Sequence, residues 1–245
     1  MDKQAEKTGI DFYTWNTPNG RKVSIMLEEV SLPYRVIPID ITKDDQFSED
    51  FLAISPNNKI PALVDHDTGV TLMESGAILM YLANKTGKFM SATNSDEYWD
   101  EMQWLMFQMG GVGPMLGQTH HFVKFNPGKS SYAEERYSAE TARLYGVLDR
   151  RLSGRDYICN NYSIVDMATW PWYGRTVTGE SYDAGEFLDV GIYENVARWE
   201  RQIAVRPAVQ RGKMVNKTNG HLEGQLHERH DARDFETRTQ DKLEG

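Results

Sequence analysis

Ser55-Pro56-Asn57-Asn58-Lys59-Ile60-Pro61-Ala62-Leu63 leads through Pro61 into a strand signal, Ala62-Leu63-Val64-Asp65, and what surrounds it decides the fold. Val70-Thr71-Leu72-Met73 follows across Asp67-Thr68-Gly69, which carries turn chemistry, so the two strands are predicted to form an antiparallel hairpin. Working back toward the N-terminus, a short helix is predicted over Glu49 to Ile54. Before it, Tyr34 to Ile39 reads as a strand interrupted by Pro38, and Ile10 to Tyr13 as another. Between those two strands, Val23, Met26, Leu27 and Val30 recur at helical spacing, which predicts a helix from about Asn19 to Val30. This is a β-α-β unit, whose parallel strands call for a right-handed crossover. After the hairpin, Ile78, Leu79, Tyr81 and Leu82 mark a helix ending near Gly87. The order β-α-β-α-β-β-α predicts a compact α/β domain with a mixed sheet.

Beyond about residue 93 the strand signals thin out. Helices are predicted over Glu97 to Met109 and Tyr132 to Leu152, with Gly110-Gly111-Val112-Gly113-Pro114 interrupting or bending the first pattern. Ser163-Ile164-Val165-Asp166 has the capping-box arrangement ahead of the apolar run Met167 to Trp172, with Tyr162 placed to staple against Met167. The organisation expected is residues 8–90 as an α/β domain, 94–215 as an all-helical domain, and 216–245 as a charged tail. Isolated apolar residues such as Leu222, Leu226 and Phe235 leave that tail either mobile or laid over the surface.

Composition narrows the function. The 245 residues suffice for one large domain or two modest ones. A formal net charge of -9 argues against nonspecific nucleic-acid binding, which depends on neutralising phosphates. No apolar run reaches the roughly 18 residues of a membrane-spanning helix. The polar start, Met1 to Lys7, has no signal core, so a cytoplasmic protein is expected. Cys159 is the single cysteine, which excludes an intrachain disulfide, CxxC redox chemistry and a cysteine-rich zinc site. Any thiol chemistry must draw most of its sulfur from a ligand.

The segments Ser55 to Leu63 and Glu74-Ser75-Gly76-Ala77-Ile78, supported by Ser163 to Asp166, resemble those of the cytosolic glutathione transferases over about residues 8 to 215. Four further stretches resemble the bacterial Nu class and the fungal Ure2p-like enzymes. These are Thr14 to Gly20, Asp45-Gln46-Phe47, Gly113 to Gln118, and Trp170-Pro171-Trp172. The resemblance implies a thioredoxin-like N-terminal domain with a four-stranded mixed sheet, followed by an all-α C-terminal domain. It further implies a homodimer, and two glutathione molecules or one glutathione disulfide in each site, with no metal.

Glutathione is an extended tripeptide with two carboxylates, an ammonium group and a thiol, and a strand edge can hold its backbone. The resemblance gives that role to Ile60-Pro61 with the bond in cis; without it, a trans-proline opening a strand would be the expectation. Lys59 can reach a carboxylate as a point charge, or simply face solvent. Ser75 and the helix amides behind it suit the γ-glutamyl carboxylate, and Glu74 the neighbouring ammonium. Read alone, the two residues are an N-cap and a helix-dipole partner, and these roles are compatible with binding. Gln46 resembles the residue that bonds the glycyl end.

At the thiol, the Nu-class pattern places Thr17 and Asn19, with Pro18 between them. A hydroxyl, an amide and the positive end of a helix favour thiolate over thiol. The plain alternative is that Asn19 caps the helix and Thr17 shapes the turn. Tyr13, inside the first strand, could be mistaken for the tyrosine used by other classes. Arg136 matches a family arginine that meets a glutathione carboxylate. His120 and His121 are tempting bases, but adjacent histidines without a spaced acidic partner make a poor metal site.

The reaction expected is thiol–disulfide exchange by two glutathiones. Conjugation of glutathione to electrophiles or peroxidase activity is the enzymatic alternative. A regulatory binding protein on the same scaffold is the alternative of another class.

Overall fold

The structure, a computed structural model, describes residues 8–178, 188–218, 221–226 and 233–237. Residues up to Leu82, joined by those from Pro207 onward, form one compact unit, and Ala83–Arg206 form the other.

The first unit has the thioredoxin-like arrangement. Strands β1 (Ile10–Thr14) and β2 (Tyr34–Pro38) run parallel around helix α1 (Pro18–Val30). Helix α2 (Glu49–Ile54) leads to the antiparallel hairpin of β3 (Ala62–Asp65) and β4 (Val70–Met73), and α3 (Ser75–Thr86) follows. The sheet order is β2-β1-β3-β4, mixed and four-stranded. Phe12, at the centre of β1, pairs with Val36 on one side and Leu63 on the other, and all three are buried. The hairpin strands and α2 fall on their predicted bounds, with the Asp67-Thr68-Gly69 turn setting the hairpin and Ser48 capping α2.

Helix α9 (Pro207–Gly212) returns the chain to this unit and packs on α1. Ser24 Oγ donates to the Gly212 carbonyl at 2.7 Å, and Arg211 pairs with Glu28 at 2.7 Å. A Cβ on Gly212 would lie 2.7 Å from the Cα of Ile25, so the two backbones meet where only glycine fits. Part of the predicted tail packs as well. Leu226 is fully buried and bridges to Val215 and Lys217. The rest of 219–245, apart from the spans given above, lies outside the described residues.

The second unit is helical: α4 (Asp96–Phe107), α5 (Gly113–Thr119), α6 (Ser131–Leu152), α7 (Ile164–Val177) and α8 (Glu194–Ala204). The Gly110–Pro114 stretch does not break the chain's helical course. Gln108–Val112 widens into a π turn that runs directly into α5, with Pro114 in the first turn of that helix. The capping box forms: Ser163 Oγ accepts from Val165 N, and Asp166 accepts from Ser163 N at 3.1 Å. Asp166 also accepts from Trp199 Nε1 at 2.8 Å and Ile158 N at 3.1 Å, tying α7 to α8. Tyr162 faces Phe89 edge-on and carries the Arg206 guanidinium 3.8 Å above its ring. Among the described residues no helix is long and apolar enough to cross a membrane.

Candidate functional site

The sheet register gathers the candidate residues of the first unit at one end. Tyr13 pairs with Ala62, Ala62 with Met73, and Thr14 with Pro38. Four segments therefore leave the sheet at the same end: the Thr17 turn after β1, the Gln46 loop after β2, Ile60-Pro61 before β3, and Glu74-Ser75 after β4. These four segments supply eight of the nine residues singled out in the sequence.

Thr17, not Asn19, is the N-cap of α1. Its extended backbone lets Oγ1 accept from Gly20 N at 3.2 Å, with Pro18 opening the helix and Asn19 half-buried in the first turn. A Cβ on Gly20 would stand 2.3 Å from Thr14 Oγ1 and 2.6 Å from the Trp15 carbonyl, so the turn closes only around glycine. The hydroxyl of Thr17 accepts from the helix and keeps its own proton for another partner. The first turn of α1 carries no acidic side chain, so the positive end of the helix stands uncompensated. Tyr13 packs its ring against Phe51, with centroids 6.3 Å apart, beside Ile54 and Ile60. Burial, followed by the charge of Asp11, pushes its hydroxyl further from ionising. Tyr13 is half-buried and packs against the cluster of Ile39, Phe51 and Ala62.

The Ile60-Pro61 bond is cis. Before it, Ser55 Oγ donates to the Lys59 carbonyl at 2.9 Å, and Asn58 adopts a φ of 50°. Lys59 itself is exposed. Asn57 Nδ2 reaches Glu74 Oε1 at 3.5 Å, joining this loop to the start of α3. Glu74 has a φ of 71°, unfavourable for a side chain with a Cβ, and such conformations collect at ligand sites. Its carbonyl accepts the first helical bond, from Ile78 N, which places Ser75 inside the helix rather than at the cap. Gln46 Nε2 leans on Asp44 Oδ1 at 3.4 Å, while its buried Oε1 has no partner among the described residues. That acceptor suits a ligand amide.

One residue of the site was missed from the sequence. Lys22 is 1 % exposed, and its Nζ donates to Ser75 Oγ at 3.3 Å. Desolvation pulls its pKa down to about 7, against the opposing pull of Glu74. The available signal was its position four residues before Met26, on the apolar stripe of α1.

Arg136 belongs to the helical unit. It is exposed on α6 and lines a cleft of about 600 Å³ with Met115, Tyr132, Tyr137, Glu140 and Arg143. Arg143 grips Glu140 through two 2.8 Å bonds and lowers its carboxyl pKa. His120 is buried and nearly parallel to Trp172, with ring centroids 6.4 Å apart. Burial depresses its pKa to about 4, so it is neutral near pH 7 and poorly placed as a base. His121 is exposed. Cys159 is buried, and desolvation with the charges of Asp100 and Asp166 pushes its thiol up to about 12. It is inert as a nucleophile. No cluster of potential metal ligands occurs among the described residues.

Comparison with known proteins gives the family. The family profile of the glutathione S-transferase N-terminal domain matches residues 17–85. The chain is 46% identical over 249 residues to the disulfide-bond oxidoreductase YghU of Escherichia coli, covering 98% of this chain and 86% of that one. It is 48% identical to the disulfide-bond oxidoreductase YfcG of the same organism, over 81% of this chain and 92% of that one. A crystal structure of a glutathione transferase from Pseudomonas putida, with one glutathione disulfide bound per subunit, superposes with a TM-score of 0.79. Its identity is 42%, over 86% of this chain and 93% of that chain.

Proposed function

The chain belongs to the glutathione S-transferase family, and from that premise we propose that it is a glutathione-dependent disulfide reductase. One observation carries the choice of reaction. The only cysteine is buried with its thiol held near 12, while Thr17 and an uncompensated helix end stand ready to stabilise a thiolate brought by a ligand. A glutathione thiolate attacks one sulfur of a substrate disulfide, forming a mixed disulfide and releasing a substrate thiolate. A second glutathione thiolate attacks the glutathione sulfur of that mixed disulfide, giving glutathione disulfide and the second substrate thiolate. Two protons from the glutathione thiols end on the two product thiols.

In this reading Thr17 and Asn19 face the attacking sulfur. Ile60-Pro61 and Gln46 hold the peptide backbone and glycyl end, and Lys59 meets a carboxylate. Glu74 and Ser75 take the γ-glutamyl group, and Arg136 serves a glutathione carboxylate. The binding role is assigned to the domain drawn over residues 8–90, with 94–215 the helical domain and 216–245 the tail. The stretches quoted from Thr14 to Trp172 support placement with the Nu and Ure2p-like classes, and the family habit supports a cytoplasmic homodimer. Parallel assays with hydroxyethyl disulfide and a chlorinated aromatic electrophile test the reaction. Turnover of the disulfide, retained in Cys159→Ser, is expected. Activity confined to the electrophile, or lost with Cys159, would sink the proposal.

A further inference from the structure

Thr17 stands at the end of a short turn that one residue of the helix behind it holds in place. Thr17 N donates back to the Trp15 carbonyl at 2.7 Å, which closes a three-residue γ-turn around Asn16. So short a turn has a single bond of its own, and its direction depends on what anchors it. At its start, the Thr14 carbonyl accepts from Ile39 N at 2.9 Å, just past the end of β2. Thr14 Oγ1 also donates to the Trp15 carbonyl at 3.3 Å. At its end stands Arg21, in the second turn of α1. Its main-chain N donates to the Thr17 carbonyl at 3.0 Å, and its guanidinium donates to Asn16 Oδ1 at 2.6 Å. One residue therefore grips both sides of the Asn16–Thr17 peptide.

A guanidinium has donors and no acceptor, so the Asn16 amide must present its oxygen to Arg21. The bond is charge-assisted and partly buried, which makes it stronger than a neutral contact at the surface. It joins a residue outside the helix to one inside, folding the turn back on α1 and fixing how Thr17 enters the N-cap. Thr17 depends on that direction twice. Its extended backbone, with φ of −128° and ψ of 161°, lets Oγ1 accept from Gly20 N at 3.2 Å. With that lone pair engaged, the orientation of Thr17 decides where its own proton points.

We propose that Asn16, held by Arg21, is a positioning residue that aims the Thr17 hydroxyl at the glutathione sulfur. The inference rests on the disulfide reductase reading above. It makes thiolate formation, and not affinity for the peptide, the property that the pair controls. The contacts assigned to Gln46, Pro61 and Glu74 lie on other segments.

The test is a double-mutant cycle in the full chain. Bound glutathione is titrated by thiolate absorbance against pH. S-methylglutathione, which has no ionisable thiol, is bound in a calorimeter. Asn16→Ala removes the acceptor and keeps the Arg21 charge, whereas Arg21→Met keeps an apolar stem and removes donor and charge. Each is expected to lower the thiolate-to-thiol ratio at neutral pH about five- to tenfold, as part of one charge-assisted hydrogen bond is lost. Affinity for S-methylglutathione should stay within about twofold of wild type in both. The double variant should fall no further than either single variant, because the two side chains act through one bond. Arg21 has other contacts as well, and the cycle cancels them.

A wild-type ratio in either single variant overturns the inference. If Arg21→Met alone lowers the ratio, the guanidinium acts by its charge and not through Asn16. Losses that multiply in the double variant overturn it too. So does S-methylglutathione affinity that falls in step with the thiolate, the mark of a turn that only keeps the site in shape. Failure of the wild type to bind either S-methylglutathione or glutathione disulfide overturns the reading beneath it, as does a bound thiol that titrates like free glutathione. Should Arg21→Met not fold, Asn16→Ala decides alone, since it keeps the charge. Thiolate lost at unchanged affinity then supports the pair, and an unchanged ratio overturns it.

Discussion

Ser55 grips the loop before Pro61 from both sides of its own backbone. Its Oγ donates to the Lys59 carbonyl at 2.9 Å, and its carbonyl accepts from Asn58 N at 2.8 Å. Ser55 is fully buried, so removing the hydroxyl leaves the Lys59 carbonyl short of a partner. Ser55→Ala is expected to cost about 1–2 kcal/mol in denaturant unfolding. It should also raise the KM for glutathione several-fold more than it lowers kcat, because in the proposed function the loop binds and does not react. Equal losses in both constants would argue against that division.

Thr17 has two separable duties. As the N-cap of α1 it accepts from Gly20, and in the proposed reaction it donates its own proton to the thiolate. Thr17→Ser keeps both and should stay within about threefold of wild type in kcat/KM, since the same hydroxyl is retained. Thr17→Val keeps the shape and loses both, at about 1 kcal/mol of stability. It should also raise the pKa of bound glutathione, read from thiolate absorbance against pH. An unchanged thiolate titration in Thr17→Val would remove Thr17 from the chemistry.

Asp166 anchors the helical unit through bonds from Ile158, Ser163 and Trp199. Truncation to alanine strands several buried N–H donors at once. Asp166→Ala is therefore expected to lose about 3 kcal/mol or more, seen as a large drop in thermal midpoint or as insoluble expression. A midpoint within a degree or two of wild type would contradict this.

His120 gives the helical unit an acid-side weakness. Burial depresses its folded pKa to about 4, while the unfolded chain titrates near 6.5. Between those values the unfolded state binds more protons. The contribution is therefore complete above about pH 6.5 and is lost as pH falls toward 4. His120→Gln cannot titrate, so the stability gap between wild type and variant should shrink by a few kcal/mol at most over that window. A gap independent of pH would show that the imidazole does not titrate in this way.

The first unit was readable where period, turn residues and burial agree, as in the hairpin around Asp67-Thr68-Gly69. The start of α1 was placed one residue late because Asn19 and Thr17 both have capping side chains, and only backbone conformation separates them. Gly110 to Pro114 read as an interruption because glycine and proline usually punctuate helices. A π turn absorbed them instead. Leu226 looked isolated in a polar tail, since its contacts with Val215 and Lys217 are bridges that no local pattern announces. Lys22 escaped notice because lysines usually face solvent, although its spacing from Met26 pointed inward.

The meeting of Gly212 with Ile25 has a consequence for synthesis. The unit that carries Thr17, Pro61 and Ser75 draws one of its packing helices from residues made almost two hundred positions later. A nascent chain can pair its strands early, yet α1 stays uncovered along one flank until the ribosome has passed Gly212. Completion of the first unit thus waits for residues 207–212, after the whole helical segment has already emerged.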